Sequence, residues 1–481
     1  MDRRRIPLIF DMKQDMTIGK PAKTLFVFAV PMILGNLFQQ FYSLVDSVIV
    51  GHFVGEEALA AVGSSFAVTM LFIAVAIGAS MGASVMISQF FGAKRFQEMK
   101  RAISTALISF LVVSFLWALV GLGVKDGLLH LLRTPENIFE DASTYLQIYF
   151  LSIPFLFMYN ALSATFNALG DSRTPLGFLI FSSLTNIGLD LWFVIQFHMG
   201  VAGVALATLI AQGIAAGLSF ILLIHRLRKM PDSSGEEPVS GNRWYSTELL
   251  GLMVKIAVPS IIQQSIVSVS MLMVQAVINP YGSSVVAGYS AALKIDSVAI
   301  MPMQAVGNAM STFTAQNIGA MKQERVREGY RASYPMIFLI NVAVFLVIQF
   351  FGETFLGFFL ENGSGSVAMQ TGMEYLHVVS ITYFMLGLLM VTGSVLRGSG
   401  DLLWFLLASV ANLAARVGCA YGLNGIIGIA AVWYSMPVGW LAGFAVNFFR
   451  YRQGKWMKKK LIYVIAAFAV MLFVFSGCRN N

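Results

Sequence analysis

Charged residues are scarce in this chain. Asp, Glu, Lys and Arg make up 12% of its 481 residues, whereas 57% are hydrophobic. A soluble domain carries about 25% charged residues, so most of this surface is expected to face lipid rather than water. The composition therefore argues against a water-soluble globular protein.

Residues that bind metals or carry out catalysis are also few. The two cysteines, Cys419 and Cys478, lie in or beside apolar runs without pairing or metal-ligand spacing, which argues against a disulfide framework or a zinc site. The five histidines lie at the ends of apolar runs or in loops. No Gly-rich loop with a Lys is found, so nucleotide-driven chemistry is not expected. We predict neither an enzyme nor a bound cofactor.

Long apolar runs dominate the rest of the chain, and each is long enough to cross a bilayer as a helix. Six lie in the first half, near residues 26–50, 58–87, 102–124, 144–168, 175–197 and 201–224. Six more lie in the second half, near residues 256–278, 285–313, 332–352, 373–396, 402–422 and 426–449. The sequence predicts an all-α integral membrane fold of 12 transmembrane helices arranged as two six-helix lobes.

The predicted lobes are joined by a Ser-, Gly- and Pro-rich polar segment near residues 225–254. We place the N-terminal lobe and its tail at 1–230, and the linker with the C-terminal lobe at 231–456. The remaining segment, 457–481, contains an apolar run that predicts either an extra C-terminal helix or a lipoprotein-like signal from a fused or frameshifted neighbouring gene. We assign it no part in the function of the two lobes.

The basic residues predict how the chain is oriented in the membrane. If the N-terminus is cytoplasmic, 27 of the 32 Lys and Arg lie in cytoplasmic loops and tails. This satisfies the positive-inside rule, so the net charge of +8 reflects topology and no nucleic-acid partner is expected. The first 23 residues are polar and basic, without the pattern of a cleavable signal peptide. We expect a multi-pass protein of the bacterial inner (cytoplasmic) membrane.

The two halves repeat short motifs in the same order. Ala29-Val30-Pro31 recurs 228 residues later as Ala257-Val258-Pro259. Residues 89–93 are matched by 316–320, Gly170-Asp171 by Gly400-Asp401, and 200–207 by 425–432. Repeated halves that rock about a shared site are typical of secondary transporters.

These motifs resemble those of the multidrug and toxic compound extrusion (MATE) family. The resemblance covers roughly residues 20–456, and its order and repetition are more specific than any one motif. In the first half it is carried by residues 46–51, 89–93, 168–175 and 203–208. In the second half it is carried by residues 316–320, 396–401 and 428–433.

Three carboxylates fall well inside predicted spans: Asp46, Asp190 and Asp296. A charged side chain at that depth costs about 2.5–3.5 kcal/mol or more, which makes each a candidate functional residue. Burial disfavours the ionised form, so such a group can take up and release a proton. It can alternatively stay ionised and hold Na⁺ with neighbouring oxygens.

The family resemblance implies a cation-coupling site in the first lobe. It assigns this site to Asp46, Asn186, Asp190 and Thr208, with H⁺ or Na⁺ as the coupling ion. Asn186 and Asp190 are four residues apart, which places them on one helix face. Gln39 and Gln40 are candidate substrate contacts, although amides in membrane helices also serve as interhelical hydrogen-bonding groups.

The second lobe offers weaker candidates. Asp296 is expected either to pair with Arg416 or to line the cavity and bind a cationic substrate. One branch of the family has a Glu on the seventh span, where this chain has Gln263 and Gln264, so coupling is expected in the first lobe. Arg397 and Asp401 are expected to cap a helix together.

The resemblance implies a secondary active antiporter that exports organic, mainly cationic, drugs or toxic compounds in exchange for H⁺ or Na⁺. The alternative is a lipid-linked oligosaccharide flippase of related architecture. A flippase needs cationic residues for pyrophosphate, and only Lys294 and Arg416 lie within predicted spans. The expected partners are small organic molecules and the lipid bilayer, and the expected state is a monomer.

Overall fold

The computed structural model describes residues 15–132, 134–230, 244–360 and 366–457. These ranges are almost entirely helical, and no strand occurs in them. The predicted boundary between the lobes, at 230–231, borders residues 231–243, which lie outside the described ranges, so it stays a prediction. The predicted extra helix within 457–481 lies outside the described residues from 458 onward.

The described residues of the first half form six long helices. Two of them continue directly into a short π-helix, Val50–Val54 after the first and Trp192–Gln196 after the fifth. The long helices are α1 (Pro21–Ile49), α2 (Glu56–Gly92), α3 (Phe96–Leu131), α4 (Glu136–Ala168), α5 (Arg173–Leu191) and α6 (Gly200–Lys229).

Within 244–360 and 366–457, the second half forms seven α-helices and short 3₁₀ turns at Asn279–Tyr281 and Lys455–Met457. Two of the seven, α8 and α9, share one predicted span, which is interrupted at Ile300 just before Pro302. The helices are α7 (Thr247–Ile278), α8 (Ser283–Ala299), α9 (Met301–Gly319), α10 (Gln323–Gly357), α11 (Val367–Ser399), α12 (Leu402–Ile427) and α13 (Ala430–Arg452).

Each of the twelve predicted spans coincides with one of these helical segments. Eleven segments are long and apolar enough to cross a membrane. The twelfth, α13, is helical but less apolar, because it includes Trp433, Trp440 and Asn447. The all-α membrane fold expected from the apolar runs is confirmed.

The outer surface of the helices is apolar, as a lipid environment requires. Leu272, Phe350 and Ile426 are each at least 70% exposed in the protein itself. The buried positions between helices hold aromatic side chains such as Phe150 and Tyr383 together with Ala and Gly. Large apolar side chains therefore face outward as well as inward, as is expected when the surrounding medium is hydrocarbon.

The halves meet chiefly where α2 crosses α7 and α9, and where α1 crosses α9. At the α2–α7 crossing a Cβ on Gly82 would lie 2.6 Å from the backbone oxygen of Met253. Only glycine fits this approach, which brings the two helix backbones into direct contact.

A repeated ion pair fixes each half at the face that carries the N-terminus. Asp171 pairs with Arg226 at the end of α6, and Asp401 pairs with Arg450 at the end of α13. Asp401 stands at the N-cap position of α12 without a side-chain capping hydrogen bond, and its Oδ2 accepts from Arg450 Nε at 2.6 Å. The Arg397 side chain points away from this turn: it donates to Asn308 Oδ1 at 3.0 Å and reaches Met81 Sδ of the other half at 3.3 Å.

Candidate functional site

A polar stripe runs along one face of α1. Asn36, Gln39, Tyr42 and Asp46 are spaced three, three and four residues apart, which places them one above another on the helix. The first three line a cavity within the first half. Asp46 follows one turn beyond Tyr42, toward the end of α1 away from the N-terminus.

The cavity lies between α1, α4, α5 and α6 and has a volume of about 260 Å³. Much of its lining is uncharged and polar, and it includes no Lys, Arg, Asp or Glu among the described residues. Leu156, Leu176 and Leu179 supply apolar surface. The polar lining residues are Asn36, Gln39, Tyr42, Tyr159, Asn160, Ser163, Asn167, Ser172, Ser182, Ser183, Asn186, Thr208 and Gln212.

Two carboxyl groups meet beside this cavity. Asp46 of α1 and Asp190 of α5 lie close enough for their side chains to interact. Asp190 is fully buried, and the Oδ1 atom of each residue is buried without a hydrogen-bond partner. Two carboxylates in contact at this depth repel each other if both are ionised, so the pair is suited to hold a cation or a shared proton.

Asn186 connects the carboxyl pair to the cavity. Its amide nitrogen faces Tyr42 Oη at 2.8 Å and Asp190 Oδ2 at 3.0 Å. Its amide oxygen faces Thr208 N at 3.1 Å and Thr208 Oγ1 at 3.3 Å. This assignment of the amide satisfies donors and acceptors on both sides, which the opposite one does not.

Both helices that carry the acids change geometry directly after them. The π-helix at Val50–Val54 begins four residues after Asp46, and that at Trp192–Gln196 begins two residues after Asp190. The two π-helices also touch each other. Such wide turns often occur at functional sites, because they loosen the backbone hydrogen bonding of a helix.

The residues that the sequence assigned to the coupling site are brought together: Asp46, Asn186, Asp190 and Thr208 form one connected group. Gln39 lines the neighbouring cavity, whereas its neighbour Gln40 is absent from the lining residues.

Asp296 lies elsewhere, buried in the second half. It accepts a hydrogen bond from Tyr383 Oη at 2.5 Å. Arg416 is close enough to act on it electrostatically, yet the expected ion pair is not formed among the described residues, and Arg416 Nε and Nη2 have no partner. Tyrosines from α8 and α11 surround the carboxyl group, and Asp296 does not line the first-half cavity.

Tyr42 is the site residue that the sequence reasoning missed. It contacts Asn186 and lies near both acids. The signal was present, because Tyr42 precedes Asp46 by four residues and follows Gln39 by three. A search for polar residues at helical spacing from Asp46 finds both Tyr42 and Asn36.

Comparison with known proteins gives one consistent family. The sequence profile of the MatE family matches residues 31–192 and 259–421. A probable multidrug resistance protein of Bacillus subtilis, YpnP, is 30% identical over 453 residues, which cover 93% of this chain and 98% of that protein. A second B. subtilis protein of that description, YoeA, is 29% identical over 97% of this chain and 100% of its own.

Solved structures support the same fold. The outward-facing conformation of a multidrug resistance MATE family transporter of the MOP superfamily matches with a TM-score of 0.84. The two chains are 24% identical, and the match covers 93% of this chain and 99% of the other. The arrangement of twelve membrane segments described above is therefore one already seen in transporters.

Proposed function

Because the chain belongs to the MATE family, we propose that it is a secondary antiporter that exports organic cations in exchange for protons. Its nature as a multi-pass membrane transporter follows from the family. The substrate charge, the coupling ion and the residues that bind them belong to this proposal. So do the cytoplasmic location of the N-terminus and function as a monomer.

The observation that carries the proposal is the proximity of Asp46 to the buried Asp190 beside a polar cavity, to which Asn186 connects them. When the pair holds a proton, its negative charge is reduced and the cavity is nearly neutral. When an organic cation enters, it favours the fully ionised pair and the proton is released. Binding of one cation therefore opposes binding of the other, which is what exchange requires.

The energetics allow one proton to be exchanged for one monovalent cation. Such an exchange is electrically neutral, so a hundredfold proton gradient sustains a hundredfold gradient of the exported compound. Each gradient corresponds to about 2.7 kcal/mol. A second energy source is not needed, in keeping with a transporter driven by an ion gradient.

The environment of Asp190 supports a proton as the coupling ion. Asp190 is fully buried and interacts with the side chain of Asp46, so the doubly ionised pair is unfavourable and one proton relieves the repulsion. Na⁺ held by the oxygens of this group is the competing outcome, and the separate sodium gradient in the test below distinguishes the two ions.

The lipid-linked oligosaccharide flippase is less well supported. Its substrate carries a pyrophosphate, and the described lining of the cavity contains no Lys or Arg to bind one. The relatives described above are named as probable multidrug resistance proteins, not as flippases. We therefore place small organic cations first among candidate substrates.

The test is efflux of a fluorescent cation, ethidium, from proteoliposomes under separately imposed proton and sodium gradients. Wild type is expected to respond to the proton gradient, and Asp190→Asn is expected to lose that response. Asp296→Asn, a buried carboxylate in the other half, is the matched control. A response to the sodium gradient alone would contradict the proton as coupling ion. If folded protein responds to neither gradient, the flippase becomes the favoured function.

A further inference from the structure

We propose that Gln89 and Gln316, one from each half, are positioning residues that hold the two halves together at the face carrying the N-terminus. We call the pair, with its two backbone acceptors, the glutamine latch. The proposal rests on alternating access in the proposed function, but its test needs neither transport nor an ion gradient.

The two glutamines make reciprocal hydrogen bonds across the interface between the halves. Gln89 of α2 donates through Nε2 to the backbone oxygen of Gly398, at the end of α11, at 3.1 Å. Gln316 of α9 donates through Nε2 to the backbone oxygen of Ala168, at the end of α4, at 2.8 Å. Each half therefore supplies one donor to the other and one acceptor in return.

The repeated sequence explains this reciprocity. Gln89 and Gln316 open the matched segments 89–93 and 316–320. Both acceptors lie three residues before the Asp of the repeated Gly-Asp, Ala168 before Asp171 and Gly398 before Asp401. Since each Asp is held by an arginine of its own half, each acceptor lies beside a fixed turn.

The glycines of the same motifs allow the halves to approach. A Cβ on Gly92 would lie 1.9 Å from the backbone oxygen of Gln316, and a Cβ on Gly319 would lie 2.0 Å from that of Gln89. No side chain fits there unless the backbones move apart. Each motif thus combines a glutamine, whose amide is the donor, with a glycine three residues later. The glycine lets the two backbones approach closely enough for the glutamine to reach the opposite half.

The latch is buried and is held on one side by the N-terminal segment. Gln316 is fully buried, and Gln89 is 8% exposed. Gln316 Oε1 accepts from Met16 N at 3.0 Å, and Lys322 Nζ donates to Thr17 O at 2.9 Å. Ala168 O keeps a second donor in its own half, Ser88 Oγ at 3.3 Å. Both buried glutamine amides, however, lose their acceptors when the halves separate, so the latch favours the closed arrangement of this face.

Opening this face requires both hydrogen bonds to break. In a transporter whose halves rock about a central site, that site opens alternately to the two sides of the membrane. The interface described here must separate for the site to open to the face that carries the N-terminus. The latch therefore sets the balance between the two arrangements. Removing one glutamine is expected to raise the ratio of open to closed protein by about tenfold, the change expected from one buried hydrogen bond.

The exposed residues Lys94 and Met321 allow this balance to be measured. They occupy matched positions just beyond the two motifs, both with a φ of 58°. With Cys419 and Cys478 replaced by Ser, Lys94→Cys and Met321→Cys can carry nitroxide labels. The distance distribution between the labels is then measured by pulsed electron resonance in the full chain, without substrate or gradient.

We expect Gln89→Met and Gln316→Met each to increase a longer-distance population, and the double variant to increase it further. Gly92→Ala should act in the same direction by steric contact, which provides a second route if a glutamine variant does not fold. The control for the glutamines is Gln275→Met, whose amide bonds Asn279 one turn away. The control for glycine is Gly217→Ala, where a Cβ would have nothing within 4 Å.

An unchanged distance distribution in folded Gln89→Met, Gln316→Met and Gly92→Ala would overturn the latch. Equal shifts in the two controls would do so as well. If the distances change only in the latch variants and the protein does not exchange cations for protons, the latch is supported and the proposed function is refuted. If the protein exchanges cations for protons and the distances do not change, the proposed function is supported and the latch is refuted.

Discussion

The two halves of the chain share a scaffold but differ in the chemistry they place on it. Asn186 and Arg416 each lie 15 residues after the Asp of the repeated Gly-Asp, and Asp190 corresponds by the same count to Ala420. Asp46 corresponds to Val274, which is fully buried. The second half therefore replaces the two acids with apolar residues and the amide with a cation.

This difference indicates which features belong to the fold and which to the proposed exchange. The ion pairs Asp171–Arg226 and Asp401–Arg450 occur in both halves, as do the latch glutamines. The carboxyl pair, by contrast, occurs in the first half alone among the described residues. Duplicated features hold the structure and its halves together, whereas the unduplicated acids are candidates for ion binding.

The largest expected effect separates the buried acids of the two halves. Asp46→Asn and Asp190→Asn should each reduce gradient-driven efflux by about 100-fold or more, because a proton-carrying group is removed. Asp296→Asn should be milder, within about fivefold, because its main contact is the hydrogen bond from Tyr383. If only Asp296→Asn loses efflux, the ion-binding site lies in the second half and its assignment to Asp46 and Asp190 is wrong.

The next effect concerns what the halves share. Asp171→Asn and Asp401→Asn each leave a largely buried arginine without its carboxylate, so each should lower the free energy of unfolding by about 3 kcal/mol. Thermal unfolding in one detergent measures both variants. A large loss in one and none in the other would show that the scaffold is less symmetric than the two ion pairs indicate.

A smaller effect compares two tyrosines, the partly buried Tyr42 and the buried Tyr383. Tyr42→Phe and Tyr383→Phe each remove one hydroxyl contact and should cost about 1 kcal/mol of stability. Only Tyr42→Phe, which disturbs the orientation of Asn186, should also change the proton concentration needed for half-maximal efflux. Equal changes in both variants would remove the functional distinction between the halves.

The smallest effect is expected at the cavity wall. Gln39 corresponds by the repeat spacing of 228 to Val267, so Gln39→Val converts one position of the first half to that of the second. The half-saturating concentration of the exported cation should rise by about two- to fivefold, as for loss of one neutral contact. Gln40→Val, at a position outside the described cavity lining, should leave that concentration unchanged.

Much of the fold could be predicted from sequence, because apolar runs of bilayer length leave few alternatives to helices. All twelve predicted spans are helical segments. The interruption at Ile300 was missed, since the apolar run continues through Pro302 and hydrophobicity alone does not mark a break. The π-helices after Asp46 and Asp190 were missed for the same reason.

The site was predicted less completely, because side-chain partners depend on packing between distant helices. The resemblance named Asp46, Asn186, Asp190 and Thr208, and these residues lie together. The pairing of Asp296 with Arg416 could not be judged from sequence, since it depends on where Tyr383 of α11 points. Likewise the contact of Gly92 and Gly319 with the opposite half appears only in three dimensions.

The most direct measurement is proton release when a cation binds. The lipophilic cation tetraphenylphosphonium is added to purified protein in weakly buffered solution, and the change in proton concentration is recorded. Wild type and Asp296→Asn are predicted to release a proton on binding, and Asp190→Asn to release none. Proton release that persists in Asp190→Asn, or that disappears in Asp296→Asn, would contradict exchange at the first-half carboxyl pair.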